Sequence, residues 1–370
     1  MIHTNINIEK LKDYIFQLPR IVIIFLKLLY KSYRICISTI LFIFNRKYRK
    51  SKVKHYKDLI KWREKRISYG EENKDKTFFI IRRISEIEGH CSMVNTVLGH
   101  LLRAEKKDYI PIVDMKNYPS MVWQASEKRG LENAWEYFYE QPGGYYLEEI
   151  NNSKNIVLCG GIGPKKKPNS KRIYFDEKQI RMWNNLYNNY IKFNDETIRY
   201  FEKMLKIYNI ENNRVLAVSI RRGIEWGHIV NHEWFSSYPK HPYLGDVINK
   251  AEELLKLWEC DYLFLAIDDQ EGLEIFKKKF GDKLLFIERE RWVYFKNGNA
   301  LALEERHHIV RNDFKPRCQE NIYNRELNFL TEVFILSRCD CILCSRTTAN
   351  ATAFIMNGGK YKHKYIIKEY

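Results

Sequence analysis

The sequence predicts an α/β protein with two facing Rossmann-like domains, preceded by an amphipathic N-terminal helical segment. Three observations lead to this prediction. A chain of 370 residues with 45% hydrophobic content can bury a large core. From Lys76 onward, short apolar runs alternate with longer amphipathic runs, as in parallel strands linked by helices. Before that body, a long apolar stretch carries cations at helical spacing. We divide the chain into residues 1–70, 71–212 and 213–370.

The positive charge is concentrated in the first region. The formal net charge is +17, but residues 1–70 contain 17 Lys and Arg against 4 Asp and Glu, which leaves only +4 for the rest. A nucleic-acid-binding protein normally carries its basic stripe on the folded body. The distribution therefore favours an anionic membrane surface and argues against nucleic acid as a partner.

The segment from Ile21 to Phe44 has the pattern of an interfacial helix. It contains fifteen Ile, Leu, Val or Phe residues, interrupted by Lys27, Lys31 and Arg34. The apolar residues favour insertion by about 4.5 to 9 kcal/mol, whereas three central cations oppose it by about 7.5 to 10.5 kcal/mol. At 100° per residue these cations share one narrow face. Spanning is thus narrowly disfavoured, and the alternatives are a helix packed on its own domain and a single membrane span.

Six further cations follow between residues 46 and 54, and each contributes about 1 kcal/mol near an anionic leaflet. The eight cysteines, in a chain without a cleavable signal pattern, fit reduced cytosolic thiols better than a disulfide framework. We therefore predict peripheral attachment through residues 20–54 to the cytoplasmic side of the cell membrane.

Elements of the body follow in two series. In the first, we predict strands at Thr77–Ile81, Tyr109–Val113 and Asn155–Cys159, and helices at Ser92–Ala104 and Asp195–Ile207. In the second, the predicted strands are Val215–Ile220, Tyr262–Ile267, Lys283–Ile287 and Cys341–Cys344, and the helices are Pro242–Leu257, Glu271–Phe280, Arg325–Arg338 and Thr348–Met356. The boundary falls near residues 212–213. In such sheets, ligands bind at the carboxyl ends of the strands.

The second series contains three polar clusters at or near the carboxyl ends of its predicted strands. Arg221 and Arg222 follow one strand, and two guanidinium groups there can neutralise a diphosphate without a metal. The alternative is a structural salt bridge. Asp268 and Asp269 follow the next strand, where they can line a cleft or cap a helix.

The third cluster combines a carboxylate with a polar turn. Glu332 lies within an otherwise apolar helix, where a buried carboxylate needs a partner. The strand after it ends in the turn 345–350, which precedes a helix whose N-terminus suits an anion.

Together these stretches resemble the fucosyltransferase superfamily, which includes α1,6-, α1,2- and protein O-fucosyltransferases. The resemblance lies in residues 219–224, which correspond to the family motif H-x-R-R-x-D, in the acidic turn 267–269, and in residues 332–348. It implies a GT-B-like arrangement in which residues 71–212 form the acceptor-side domain and residues 213–370 bind the nucleotide sugar. The first domain matches only in its layout of strand, loop and helix.

Roles for individual residues follow from the resemblance. Arg221 would bind the donor β-phosphate and stabilise the leaving diphosphate, and Arg222 would brace the same loop. Glu332 would contact the nucleotide base, and the hydroxyl of Thr348, next to Thr347, would contact phosphate. The remaining implied contacts are Asp268 and Asp269 in the donor cleft and Gly89 and Ser92 on the acceptor or phosphate side.

The sequence departs from the family motif at two positions. Ser219 stands where the family has its His, which weakens the inference of a guanine base. Ile224 stands where the family has its Asp, so Glu225 is the first candidate for the general base and Asp268 the second.

The resemblance implies an inverting, metal-independent glycosyltransferase with no cofactor. The donor would be a nucleotide sugar, GDP-fucose by analogy, and the acceptor a cell-surface polysaccharide or a lipid-linked glycan precursor. A second interpretation is a non-catalytic nucleotide-sugar or glycan-binding protein of the same fold, in which the changed motif positions mark lost activity.

Overall fold

The computed structural model describes residues 61–83, 88–120, 123, 125–221, 229–230, 233–234, 243–291, 295–296, 299–300 and 322–367, and the single positions 32, 53, 57 and 60. The chain divides into two compact units, Met1–Arg63 and Glu64–Tyr370. Apart from Ser32, the predicted interfacial helix lies outside the described residues, as do the six cations after it. The fold given below is that of the second unit.

The chain order of strands and helices is as follows. The strands are β1 (Lys65–Ile67), β2 (Phe78–Ile81), β3 (Ile110–Val113), β4 (Ile156–Leu158), β5 (Val215–Ile220), β6 (Ile229–Val230), β7 (Glu233–Trp234), β8 (Tyr262–Ile267), β9 (Leu284–Leu285), β10 (Phe295–Lys296), β11 (Asn299–Ala300), β12 (Cys341–Cys344) and β13 (His363–Ile366). The α-helices are α1 (His90–Lys107), α2 (Glu177–Tyr190), α3 (Asp195–Ile207), α4 (Leu244–Leu257), α5 (Gln270–Phe280), α6 (Ile322–Arg338) and α7 (Thr348–Asn357). Short 3-10 helices cover Ser126–Lys128, Ala134–Tyr137, Leu147–Ile150, Ile173–Phe175, Ile210–Asn212 and Gly281–Lys283.

The first sheet has the strand order β1-β4-β2-β3, with β4, β2 and β3 parallel and β1 antiparallel to β4. Successive side chains of a strand point to opposite faces. Phe78 and Ile80 accordingly enter a small core on one face, and Phe79 and Ile81 enter the main core on the other. Burial on both faces explains the uninterrupted apolar run of β2, which is typical of a parallel sheet.

The second sheet has the order β13-β12-β5-β8-β9, and all of its strands are parallel. Leu216 and Val218 pack against α4 and α5, and Val215 and Ala217 enter the main core on the opposite face. The predicted strands β5, β8 and β12 are confirmed residue for residue. The second unit is therefore a mixed α/β fold with parallel sheets.

The two sheets share the main core. It joins Phe79 of the first sheet to Phe264 of the second. Helices from both halves of the unit contribute to it, through the large buried side chains Val97, Trp183, Phe201, Phe334 and Phe354. Within the described ranges, no helix combines the length and apolar composition needed to cross a bilayer.

Candidate functional site

The topology of the second sheet brings the three predicted polar clusters to one edge. Strand β5 lies between β12 and β8, with Ser219 opposite Cys344 and Ile220 opposite Ile267. Because the strands are parallel, the residues that follow them emerge at the same edge. Chain connections leave β5 in opposite directions, first towards β8 and β9 and later towards β12 and β13. Such a switch point is where α/β sheets bind ligands.

Arg221 and Asp268 meet at this edge. The Nε atom of Arg221 lies 3.9 Å from Oδ2 of Asp268, and the side chain of Arg221 is 39% exposed. A pair at this distance and exposure contributes little to stability. The guanidinium is therefore oriented by a carboxylate while part of it faces solvent, where a ligand anion can reach it.

The ends of β5 and β12 are joined by main-chain and amide hydrogen bonds. The Ser345 amide donates to the Ser219 carbonyl at 3.1 Å. The fully buried Asn350 side chain donates to the Ser345 carbonyl at 2.8 Å and to that of Ser219 at 3.4 Å. In the structure Ser219 thus contributes its carbonyl to the packing of this edge. Asn350 was not predicted as a site residue, although it lies in the predicted polar turn.

Helix α7 begins at the same edge. The Thr347 hydroxyl accepts a hydrogen bond from the Asn350 amide at 3.1 Å, so Thr347 is the N-cap and Thr348 the first helical residue. The N-terminus of a helix carries partial positive charge and unpaired amides, which favour an anion. The hydroxyl of the buried Tyr174 donates a hydrogen bond to the Thr347 carbonyl at 2.7 Å and so holds the turn in place.

Asp269 has a structural role at the start of helix α5. It is completely buried, and its Oδ1 atom accepts a hydrogen bond from the Gly272 amide at 2.7 Å. It is the N-cap of α5, which is the structural alternative that the sequence left open. Its contact with a donor stays a prediction.

Glu332 is 3% exposed and pairs with two arginines that sequence reasoning missed. Its two carboxylate oxygens accept from Arg289 at 2.9 and 3.0 Å, and one of them also lies 3.4 Å from Nη2 of Arg291. Burial lowers the pKa of Arg291, whereas Glu332 raises it. The bidentate salt bridge between Glu332 and Arg289 fixes the plane of the Arg289 guanidinium group. The predicted contact of Glu332 with a nucleotide base stays a prediction.

The two arginines brace the end of β8. Arg289 Nη2 and Arg291 Nε both donate to the Ile267 carbonyl at 3.2 Å, one residue before Asp268. The signal for them in the sequence is the alternating run Glu288-Arg289-Glu290-Arg291, which directly follows a predicted strand. Alternating charges are usually a solvated face, and only the structure reveals that the two arginines point to one buried carboxylate.

The predicted acceptor-side residues lie at the edge of the first sheet. Gly89 is the N-cap of α1, and Ser92 donates to Glu88 at 2.5 Å. Glu88 also pairs with Arg83. His90 is the first residue of α1. Its Nδ1 atom lies 3.4 Å from Oε2 of Glu326 on α6, and its Nε2 atom lies 3.0 Å from the Tyr139 hydroxyl. Burial lowers the pKa of His90. The start of α1 is therefore tied directly to α6, the helix that carries Glu332.

Two predicted residues, Arg222 and Glu225, lie outside the described residues, as does Ile224. No group of three or more His, Cys, Asp or Glu side chains that could hold a metal ion occurs in the part of the chain that the structure describes.

No family model matches the chain, and no curated protein matches it. Among solved structures it is similar to NodZ alpha-1,6-fucosyltransferase soaked with GDP-fucose, with 11% identity and a TM-score of 0.43 over 76% of this chain and 91% of that one. It is also similar to fucosyltransferase NodZ from Bradyrhizobium, with 11% identity and a TM-score of 0.42 over 75% and 92%. It is similar as well to POFUT1 in complex with GDP-fucose, with 9% identity and a TM-score of 0.42 over 81% of this chain and 100% of that one. These structural neighbours are fucosyltransferases, the group that the motifs indicate.

Proposed function

We propose that the chain is an inverting, metal-independent glycosyltransferase. It transfers a sugar from a nucleotide donor, with GDP-fucose as the proposed donor, to a cell-surface polysaccharide or a lipid-linked glycan precursor. One observation carries the proposal: Arg221 follows β5, and the N-terminus of α7 follows the neighbouring strand β12, at the switch point of the parallel sheet. A guanidinium and a helix N-terminus placed side by side suit a diphosphate.

The chemistry needs stabilisation of a leaving group. The bond between the anomeric carbon and the phosphate oxygen breaks, and its electron pair leaves with the nucleoside diphosphate. The acceptor hydroxyl forms the new bond on the opposite face and gives its proton to a carboxylate. Arg221 and the first amides of α7 supply fixed positive charge where the diphosphate gains negative charge, the task for which other enzymes use a divalent cation.

For the general base, Glu225 remains the first candidate and Asp268 the second. The 3.9 Å contact between Asp268 and Arg221 supports a place for Asp268 near the diphosphate, where it can orient the guanidinium. A base must lie within hydrogen-bond reach of the acceptor hydroxyl.

Two further proposals concern organisation and location. Residues 71–212 and 213–370 would form the acceptor and donor domains of a GT-B-like pair, each around one of the two sheets. Residues 20–54 would attach the protein to the cytoplasmic face of the membrane, beside a lipid-linked acceptor. The charge of the first 70 residues supports this location.

Turnover of nucleotide sugars tests the proposed function. Full-length protein is incubated in EDTA with GDP-fucose, other GDP-sugars and UDP-sugars, and the released diphosphate is measured. We expect slow release of GDP from GDP-fucose, accelerated by acceptor glycans and insensitive to EDTA. Release that depends on added Mn²⁺ would contradict metal independence. Binding of the donor without turnover by any acceptor would favour the non-catalytic interpretation.

A further inference from the structure

A strongly basic segment lies between β4 of the first sheet and helix α2. Residues 159–175, which follow β4, contain five cations and no Asp or Glu. The five cations are Lys165, Lys166, Lys167, Lys171 and Arg172. Among the described residues, none of them forms an ion pair with a carboxylate. We call residues 159–175 the basic segment.

The beginning of the basic segment is held against the first sheet. A Cβ atom at Gly163 would lie 3.1 Å from Nη1 of Arg83, the residue that follows β2 by two positions. A Cβ atom at Gly99 of α1 would clash with both Pro164 and the Lys166 carbonyl. Glycine at position 99 therefore allows the segment to pack directly on the helix that starts at Gly89.

The end of the basic segment reaches the candidate donor site. Tyr174 donates to the Thr347 carbonyl, at the cap of α7. The guanidinium carbon of Arg346 lies 5.2 Å from the ring centroid of Phe175, whose side chain is 62% exposed. The segment thus runs from the edge of the first sheet to the edge of the second, beside the place proposed for the diphosphate.

Within the described ranges, the positive charge of this segment is only weakly compensated. Desolvation lowers the pKa of Lys167, and the Arg83 guanidinium lowers it further, whereas Glu88 raises it. Glu88 is already engaged by Arg83 and by the hydroxyls of Ser92 and Thr96. An anionic ligand would relieve the repulsion among these cations.

We propose that the basic segment binds a phosphate or diphosphate group carried by the acceptor. The acceptor is then an anionic saccharide, such as one linked to a lipid through a diphosphate, and not a neutral glycan. This inference rests on the proposed function. The donor diphosphate has its own partners in Arg221 and the start of α7, on the second sheet. The basic segment is anchored on the first sheet and belongs to a second anion.

Binding of farnesyl diphosphate to the full-length protein tests the inference without requiring turnover. The variant Lys165→Ala/Lys167→Ala removes two cations from the segment and keeps Lys166, which contacts Met182 and Trp183. The matched control is Lys106→Ala/Lys107→Ala, which removes two exposed cations from the last turn of α1. Because both variants keep residues 46–54, binding to those cations is the same in each.

We expect the segment variant to bind farnesyl diphosphate at least tenfold more weakly than the unaltered protein, and the control variant to stay within twofold. Farnesol, which lacks the charge, should bind all three proteins alike. The affinity for GDP should be unchanged in both variants.

Equal affinity of both variants for farnesyl diphosphate would overturn the inference. A parallel loss of GDP affinity in the segment variant would also overturn it, because the anion would then be the donor's. If the unaltered protein binds farnesyl diphosphate through the segment but does not bind GDP, the basic segment keeps its ligand and the proposed function fails instead.

Discussion

At the scale of single residues, one carboxylate pairs with two guanidinium groups. Glu332 meets Arg289 and Arg291 in a place where the Arg291 side chain has no exposure and that of Arg289 has 10%. Charges taken out of water are costly unless they are paired and hydrogen-bonded. The other donors of the two arginines reach main-chain carbonyls, among them those of Ile267 and Ile287.

Replacing Glu332 should therefore destabilise the protein strongly. We expect Glu332→Ala to lower the free energy of unfolding by about 3 to 5 kcal/mol, because two buried cations lose their only shared carboxylate among the described residues. Glu332→Gln should cost less, since it keeps the shape and one acceptor oxygen. Urea denaturation gives the midpoint and the slope of each variant.

The control for this prediction is Glu274→Gln on α5. Glu274 pairs with Lys277 at an exposed position, and such pairs contribute about 0 to 1 kcal/mol. If Glu332→Ala unfolds at the same urea concentration as Glu274→Gln, the cluster contributes no net stability and this account of Glu332 is wrong.

Residues at strand ends could be predicted from the sequence, and their partners could not. Arg221 and Asp268 follow buried, largely apolar strands, so their place at one sheet edge follows from the pattern. Arg289 was missed because its partner Glu332 is 43 positions away and nothing local indicates that the two side chains meet. Asp269 shows the reverse case, since the same carboxylate suits a ligand or a helix cap and burial decides between them.

At the scale of elements, burial decided which predictions held. Strands β5, β8 and β12 are almost entirely buried, and their apolar runs mark both ends. Strand β13 was missed because it is a largely exposed edge strand of mixed composition. Helix α2 was missed because the repeated Asn residues in Glu177–Tyr190 are weak helix formers. It is held by the Asp176 cap and by the burial of Trp183.

The N-terminal segment is the element whose proposed role depends on charge. We expect replacement of the six cations between residues 46 and 54 by Gln to reduce binding to phosphatidylglycerol vesicles by more than a hundredfold. Each cation contributes about 1 kcal/mol near an anionic leaflet. Cosedimentation of the full-length chain with vesicles measures the binding.

Phosphatidylcholine vesicles provide the control, because they lack net charge and should bind both proteins weakly. Equal binding of the unaltered protein to both lipids would contradict attachment by charge. It would favour a single membrane span or a helix packed on its own domain.

At the scale of the whole molecule, the main core couples the two sheets. Phe79 and Phe264 belong to one continuous core, so Glu64–Tyr370 is a single compact unit although it contains two sheets. The sequence predicts a division near residue 212 because a second series of strands begins there. That division stays a prediction. The shared core could not be predicted, since apolar residues that face another sheet look the same in local periodicity as those that face a helix.

This arrangement places the proposed donor and acceptor surfaces in one unit. The start of α1 contacts α6 through His90 and Glu326, and the basic segment reaches α7 through Tyr174. The central claim is that Arg221 binds the diphosphate of the donor beside the start of α7.

Calorimetric titration of GDP into Arg221→Ala tests this claim most directly, with Arg214→Ala as the matched control. Arg214 precedes β5 at its opposite end and is 32% exposed, so its loss removes the same charge from the same strand. We expect GDP to bind the unaltered protein and the control within twofold of each other, and Arg221→Ala at least tenfold more weakly. Equal GDP affinity of Arg221→Ala and the unaltered protein, or no GDP binding by either, would contradict the account.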